Sequence, residues 1–149
     1  MTPFADALAA AGIDSPIVTM DDSTHTAAQA AAAIGCELGQ IVKSLVFVAD
    51  DEPLLVLVAG TNRVDERLLG DNLGAAIGKA DAALVKDATG YSIGGVPPFG
   101  HIRPLRTVID PVLLEFETVW AAAGTGLSVF ELTPQQLLTA TSAEVIPVS

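Results

Sequence analysis

Two apolar runs, Ile41 to Ala49 and Leu54 to Ala59, lie four residues apart and constrain everything else this chain of 149 residues can build. Both are rich in β-branched residues and nearly continuous, the pattern of strands buried on both faces. The residues between them, Asp50-Asp51-Glu52-Pro53, pair acids with a proline and suit a tight reversal, so the segment predicts a β-hairpin. Leu54 to Gly60 is far short of the ~20 apolar residues a membrane span needs.

The flanking text supplies helices and further strands. Thr2-Pro3 ahead of Phe4, Ala7, Leu8 and Ala11 reads as an N-cap, a first-turn proline and an apolar face closed by Gly12. Ile17-Val18-Thr19 reads as a short strand, and Thr26-Ala27-Ala28-Gln29 carries a capping-box pattern opening an alanine-rich helix that stops at Gly35. Val64 to Leu69 and Asn72 to Ile77 suit two short helices separated by Gly70, and Asp81 caps another through Asp87. Thr107 to Asp110, Val119 to Ala122 and Leu127 to Leu132 suit strands, Thr133-Pro134 starts a last helix, and Val145 to Val148 suits a closing strand. Strands cluster instead of alternating with helices, so the expectation is an α+β, mixed α/β fold: one domain over residues 1–149 with a sheet or partly closed barrel.

Net charge is −11, which argues against a broad phosphate-binding surface, because Lys and Arg supply most nucleic-acid affinity. The charge is uneven: all seven cations fall between Lys43 and Arg106, so an anionic ligand is expected at the middle of the chain. Met1 to Asp6 carries no cation ahead of an apolar stretch, unlike a secretory signal, and the lone Cys36 has no internal partner; both favour the cytoplasm.

From Gly90 to Pro104 the chain holds four glycines and three prolines in fifteen residues, which no regular element survives. A structureless stretch this long inside a compact domain is usually functional. Its glycines let main-chain N–H groups approach a ligand and its prolines fix their course, so the loop is a candidate oxyanion cradle or else a long structural turn. Lys43 interrupts the first apolar run. It is either a strand-end lysine reaching solvent or an ammonium at a pocket rim that binds phosphate or carboxylate. Arg63, just past the second run, is a further phosphate candidate, although Arg63 and Arg67 also have the spacing of one exposed helix face.

Other chemistry finds no pattern. His25 and His101 lack metal-ligand spacing, so neither metal nor organic cofactor is expected. Ser44 and Ser92 sit in no nucleophile elbow, and the segment after Gly90 is neither a Walker loop nor a dinucleotide fingerprint. Cys36 reads as packing, since no neighbouring cation activates it.

Three segments taken together, Ile41-Val42-Lys43-Ser44-Leu45-Val46-Phe47, Thr89 to Gly100 and Thr107-Val108-Ile109-Asp110, resemble the YbaK and prolyl-tRNA-synthetase-associated editing-domain family. The likeness runs from about Thr24 to about Leu138 in the same order. The resemblance implies a distorted, barrel-like mixed sheet flanked by helices, and hydrolysis of the ester joining a wrong amino acid to the 3′ end of tRNA. It implies that Lys43 contacts the terminal phosphate and that Gly94, Gly95, Val96, Pro97 and Pro98 hold the aminoacyl carbonyl and ribose. Tyr91, Ser92, Thr61 and His101 are further pocket candidates. Where members resembling the cysteine-specific type carry a Ser-Gly-Gly turn and a nearby acid, this chain has the segment Trp120 to Ser128, whose Ala122 cannot hydrogen-bond a substrate as serine could, which leaves cysteine, alanine, serine and threonine open as the amino acid removed. The acidic charge suggests that only the tRNA 3′ end is recognised, with a prolyl-tRNA synthetase or elongation factor supplying affinity. The alternatives are a nucleotide-binding module that has lost turnover and an esterase that ignores nucleic acid.

Overall fold

A computed structural model describes residues 3–21 and 26–149. The Thr2 cap, Thr24 and His25 lie outside the described residues. The elements run α1 (Pro3–Ala10), β1 (Val18–Thr19), α2 (Ala27–Ile34), β2 (Ile41–Ala49), β3 (Glu52–Ala59), α3 (Glu66–Leu73), β4 (Ile77–Lys79), α4 (Ala82–Thr89), β5 (Arg106–Ile109), β6 (Val119–Ala122), β7 (Ser128–Leu132), α5 (Pro134–Thr141) and β8 (Glu144–Val145). Short 3-10 turns at Leu38–Gln40 and Pro111–Glu115 lead into β2 and follow β5.

The expected hairpin forms the middle of the sheet. β2 and β3 pair antiparallel from Val42↔Ala59 to Ala49↔Glu52, and Asp50 and Asp51 alone make the turn, both with positive φ (48° and 68°), as the primed hairpin turns require. Pro53 belongs to β3 and not to the turn. It faces away from β2, so its missing N–H removes no hairpin rung.

The eight-stranded mixed sheet follows the path β1-β7-β6-β2-β3-β5-β8, with β4 on β2 as a branch. β3, flanked by β2 and β5, is buried along Leu54 to Ala59, which explains its unbroken apolar run. Its side chains alternate between two cores. Leu55, Leu57 and Ala59 join Val42, Val46 and Ile109 on one face, while Leu54, Val56 and Val58 join Phe47 and Val108 on the other. β2 is less covered than its sequence predicts: Leu45 is exposed and Ser44 half-buried, because β2 lacks a continuous neighbour on its second edge.

The helix starts at Thr26, Asp81 and Thr133 and the end at Gly35 follow the caps read in the sequence, and α4 runs on past Asp87 to Gly90. Thr26 with Gln29 and Thr133 with Gln136 form complete capping boxes, Asp81 accepts from the Leu84 N–H, and Gly35 and Gly90 end their helices in the left-handed conformation. Three expectations are corrected. Gly70 lies inside α3, where a Cβ would sit 2.8 Å from the Ala75 carbonyl oxygen, and the helix ends instead at left-handed Gly74. Ile77 consequently starts strand β4, which the edge of β2 captures. Arg63 precedes the Asp65 cap, so it shares no helix face with Arg67. The closing strand is only Glu144–Val145, paired to β5.

Phe4, Phe99 and Phe130 are buried together, with ring centroids 5.0 to 6.0 Å apart, and tie α1 and the glycine-proline segment to β7. Phe130→Ala is expected to destabilise the fold by about 3–5 kcal/mol through the cavity it leaves, read as a lowered urea midpoint with an unchanged slope.

Candidate active site

The site forms where the second edge of β2 loses its neighbours. β6 pairs with β2 only at Ile41 and Val42, and β4 only from Phe47 to Ala49. Two adjoining cavities of about 310 and 230 Å³ open along the stretch between. Both are lined by Ser44, Leu45, Ile93, Gly94 and Val96, so they form one groove roofed by the glycine-proline loop. Lys43 lies in the first lobe, together with Trp120, Ala121, Ala122 and Thr125 from the β6–β7 hairpin, and Lys79 lies in the second.

Lys43 is half-buried and held by one strong contact: its Nζ donates to the Asn62 carbonyl oxygen at 2.6 Å. Asn62 is itself positioned by Asp110, whose Oδ2 accepts from Asn62 Nδ2 at 2.9 Å and from the Ala59 N–H at 3.2 Å, while Oδ1 accepts from the Val112 N–H. Asp110 is buried and staples the ends of β3 and β5 to the loop under the lysine. Burial lowers the Lys43 pKa from 10.5, the Arg63 guanidinium lowers it further, and Asp110 opposes both. A lysine so placed is stabilised by a bound anion.

The roof is rigidly built. The Thr89 hydroxyl accepts from the Tyr91 N–H and donates its one proton to the Val85 carbonyl at 2.7 Å, with the Tyr91 carbonyl 3.1 Å away as the alternative acceptor. Gly95 donates its N–H to the Ser92 carbonyl at 3.0 Å. A Cβ on Gly95 would lie 2.8 Å from the Thr125 Cα, so the residue must be glycine for the loop to rest on the β6–β7 turn. The Gly95 amide is therefore consumed by the turn, whereas the N–H groups of Gly94 (φ 91°) and Val96 have no hydrogen-bond partner among the described residues. Val96, Pro97, Pro98 and Phe99 are buried, and the His101 ring contacts the Pro97 carbonyl oxygen at 2.7 Å through Nε2.

Of the residues singled out in the sequence, Lys43, Gly94 and Val96 line the groove directly. Gly95, Pro97, Pro98 and His101 shape the loop from behind. Tyr91 packs under Gly124, Ser92 is exposed and spends its carbonyl on Gly95, and Thr61 and Arg63 are exposed on the loop beside Lys43. Sequence reading missed Asp110 and Asn62 as the support of Lys43, and Ser44 and Trp120 as lining. An acid closing the apolar strand Thr107 to Ile109 was the available signal for Asp110. Among the described residues no group of three or more His, Cys, Asp or Glu is placed to hold a metal ion. A wider depression of about 750 Å³ beside α3 sets Asp50, Glu66 and Asp71 against Arg67, an unfavourable rim for a polyanion.

The family model of the aminoacyl-tRNA editing domain matches residues 21–140. The chain belongs to the aminoacyl-tRNA editing domain family. It is 34% identical over 125 residues to the uncharacterized protein YwhH of Bacillus subtilis (strain 168), covering 83% of this chain and 80% of that protein. It is 35% identical over 86 residues to the proline--tRNA ligase of Lactobacillus helveticus (strain DPC 4571), a match over 57% of this chain and only 15% of the ligase. Among solved structures, a candidate trans-editing enzyme for prolyl tRNA synthetase superposes with TM-score 0.94 at 42% identity, covering 100% of this chain and 98% of that one. The hypothetical protein APE2540 superposes with TM-score 0.89 at 29% identity, covering 99% of each chain. The mixed sheet with flanking helices is thus the fold of an editing domain. Among the described residues no helix is long and apolar enough to cross a membrane.

Two outcomes test the editing domain's roof. Gly95→Ala is expected to cost about 1–3 kcal/mol and to shift the amide resonances of Gly94 and Thr125 in a heteronuclear NMR spectrum. Burial lowers the His101 pKa from 6.5, so the folded state favours the neutral ring and the unfolded chain takes up the proton first. Stability should be full above pH 6.5 and decline as pH falls through that value toward the lower folded-state pKa, a loss that His101→Gln should blunt in thermal melts.

Proposed function

We propose that this editing domain is a deacylase acting in trans on mischarged aminoacyl-tRNA, hydrolysing the ester that joins a small wrong amino acid to the terminal ribose. The observation that carries the reading is a half-buried lysine in the same cavity as two unpartnered main-chain N–H groups, with Lys43 to take a phosphate and Gly94 and Val96 to take an oxyanion.

Water adds to the ester carbonyl, and the negative charge that develops on its oxygen is held by the Gly94 and Val96 N–H groups. Collapse of the tetrahedral intermediate expels the ribose oxygen, which leaves as a hydroxyl after accepting the proton released by the attacking water. Preorganised amides suit this task because the buried backing of Pro97, Pro98 and Phe99 spares them reorganisation. Lys43 fixes the terminal nucleotide, so the ester is delivered in one geometry and the binding energy is turned into orientation. Cysteinyl- and alanyl-tRNA(Pro) are the first substrates to test, given the relatives among proline--tRNA ligases and the small residues Ala121 and Ala122 in the groove.

Net charge −11 supports recognition confined to the tRNA 3′ end, with a prolyl-tRNA synthetase or elongation factor adding affinity in the cytoplasm, where tRNA is charged. Editing predicts release of mismatched amino acids from a panel of tRNAs charged with cysteine, alanine, serine and threonine, with cognate prolyl-tRNA spared. Lys43→Ala should lower kcat/KM on the best substrate by about ten- to hundredfold, the scale of one charge-assisted contact, mainly through KM. Binding without release from any member of the panel would instead favour a tRNA sensor.

A further inference from the structure

Helix α1 stands behind the site and packs on both segments that enclose it. Phe4 is fully buried. Its ring centroid lies 5.2 Å from that of Phe99 in the glycine-proline loop and 5.0 Å from that of Phe130 on β7. One turn on, a Cβ added to Gly100 would lie 2.6 Å from the Ala7 Cβ, and in the β6–β7 turn a Cβ added to Gly124 would lie 3.5 Å from the Phe4 Cβ. Gly100 and Gly124 both have positive φ (78° and 107°), so the helix meets loop and hairpin at two points where only glycine fits both the backbone and the approach. Leu8 and Ile13 are buried in the same core and anchor the helix. The stretch matched by the family model begins after α1, at residue 21.

What α1 seats is the far end of the amide cradle. Gly94 and Gly95 leave the near end conformationally free, held by the rest of Gly95 on Thr125. The far end runs from Val96 through Pro97 and Pro98 to Phe99. Two consecutive prolines have fixed φ and form a stiff spacer, so a shift of Phe99 is passed on to Val96 instead of being absorbed between them. The place of Phe99 is in turn set by the rings of Phe4 and Phe130.

Resting on the editing reading of this site, we propose that Phe4 is a positioning residue for ester hydrolysis: by seating Phe99 it holds the Gly94 and Val96 N–H groups where the oxyanion develops. Phe4 acts through the loop. Its loss therefore weakens what the amides do in the transition state and leaves nucleotide binding in place, because Lys43 is carried by β2 and held by the Asn62 carbonyl.

The test compares Phe4→Ala with Leu69→Ala, which opens a cavity in the second core, on the other face of β3. Both are assayed on the best wild-type substrate at a temperature where circular dichroism shows them folded. Phe4→Ala should lower kcat about ten- to hundredfold, the scale of a misplacement of about 1 Å, with KM close to wild type, whereas Leu69→Ala should keep wild-type kcat. Phe4→Leu should show the same selective loss at a smaller size, and it carries the comparison if Phe4→Ala does not fold. A readout that needs no turnover is the amide resonances of Gly94 and Val96, which should move or broaden in the Phe4 variants and stay in place in Leu69→Ala. Unchanged kcat in the folded Phe4 variants, unmoved resonances, or an equal loss of kcat in Leu69→Ala overturns the assignment while leaving editing intact. Release of nothing from any tRNA by wild type overturns the editing reading and the role of Phe4 in hydrolysis with it.

Discussion

Strand β2 carries an unequal load on its two edges, and the rest of the molecule depends on that inequality. One edge is zipped to β3 over eight residue pairs. The other is shared between a parallel contact to β6 and an antiparallel contact to β4, which leave Ser44 without a strand beside it. An uncovered edge inside a sheet is costly, because main-chain donors and acceptors lose water without gaining partners. Here the interval is kept open as a groove and roofed by the loop from Gly90 to Pro104, so the gap in the ladder is itself the site. The fully buried β3 makes the arrangement tolerable: apolar packing on both its faces holds β2 in place whatever happens on the far edge.

The roof and the floor are each braced from behind. Phe99 enters the aromatic cluster with Phe4 and Phe130, and Gly95 lets the loop lie against Thr125. Under Lys43, Asp110 and Asn62 form a chain of hydrogen bonds that fixes the lysine's acceptor without neutralising it in a direct ion pair. A chain of net charge −11 therefore still presents a local positive site, where Lys43 and Arg63 stand together near a single buried acid. Long-range repulsion of nucleic acid and local attraction of one phosphate are compatible because screening confines each charge's influence to roughly 10 Å at moderate salt.

Local signals in the sequence were strong where a residue acts on its immediate neighbours. The capping boxes at Thr26 and Thr133, the Asp81 cap and the helix end at Gly35 are contacts within four residues, and these appear as read. Gly70 misled because glycine marks either a breaker or a close approach, and only the approach of the Ala75 carbonyl shows which. Ile77 to Lys79 lacks length to declare itself a strand and becomes one because β2 offers an unpaired edge. Asp110 looked like the end of a strand because its partners, Ala59 and Asn62, lie some fifty positions away.

By itself the sequence determined the central hairpin, the mixed class of the fold, the capped starts of α2, α4 and α5 and the two segments, around Lys43 and from Gly90 to Pro104, that meet at the groove. Those features rest on short-range physics: apolar periodicity, capping and the conformational range of glycine and proline. Tertiary structure alone decided that the second edge of β2 is interrupted, that Gly95 spends its amide while Gly94 and Val96 keep theirs, and that the buried Ser44 Oγ is left unpaired. Whether a polar atom is satisfied depends on what the rest of the chain places within about 3 Å of it, and no local pattern of residues encodes that.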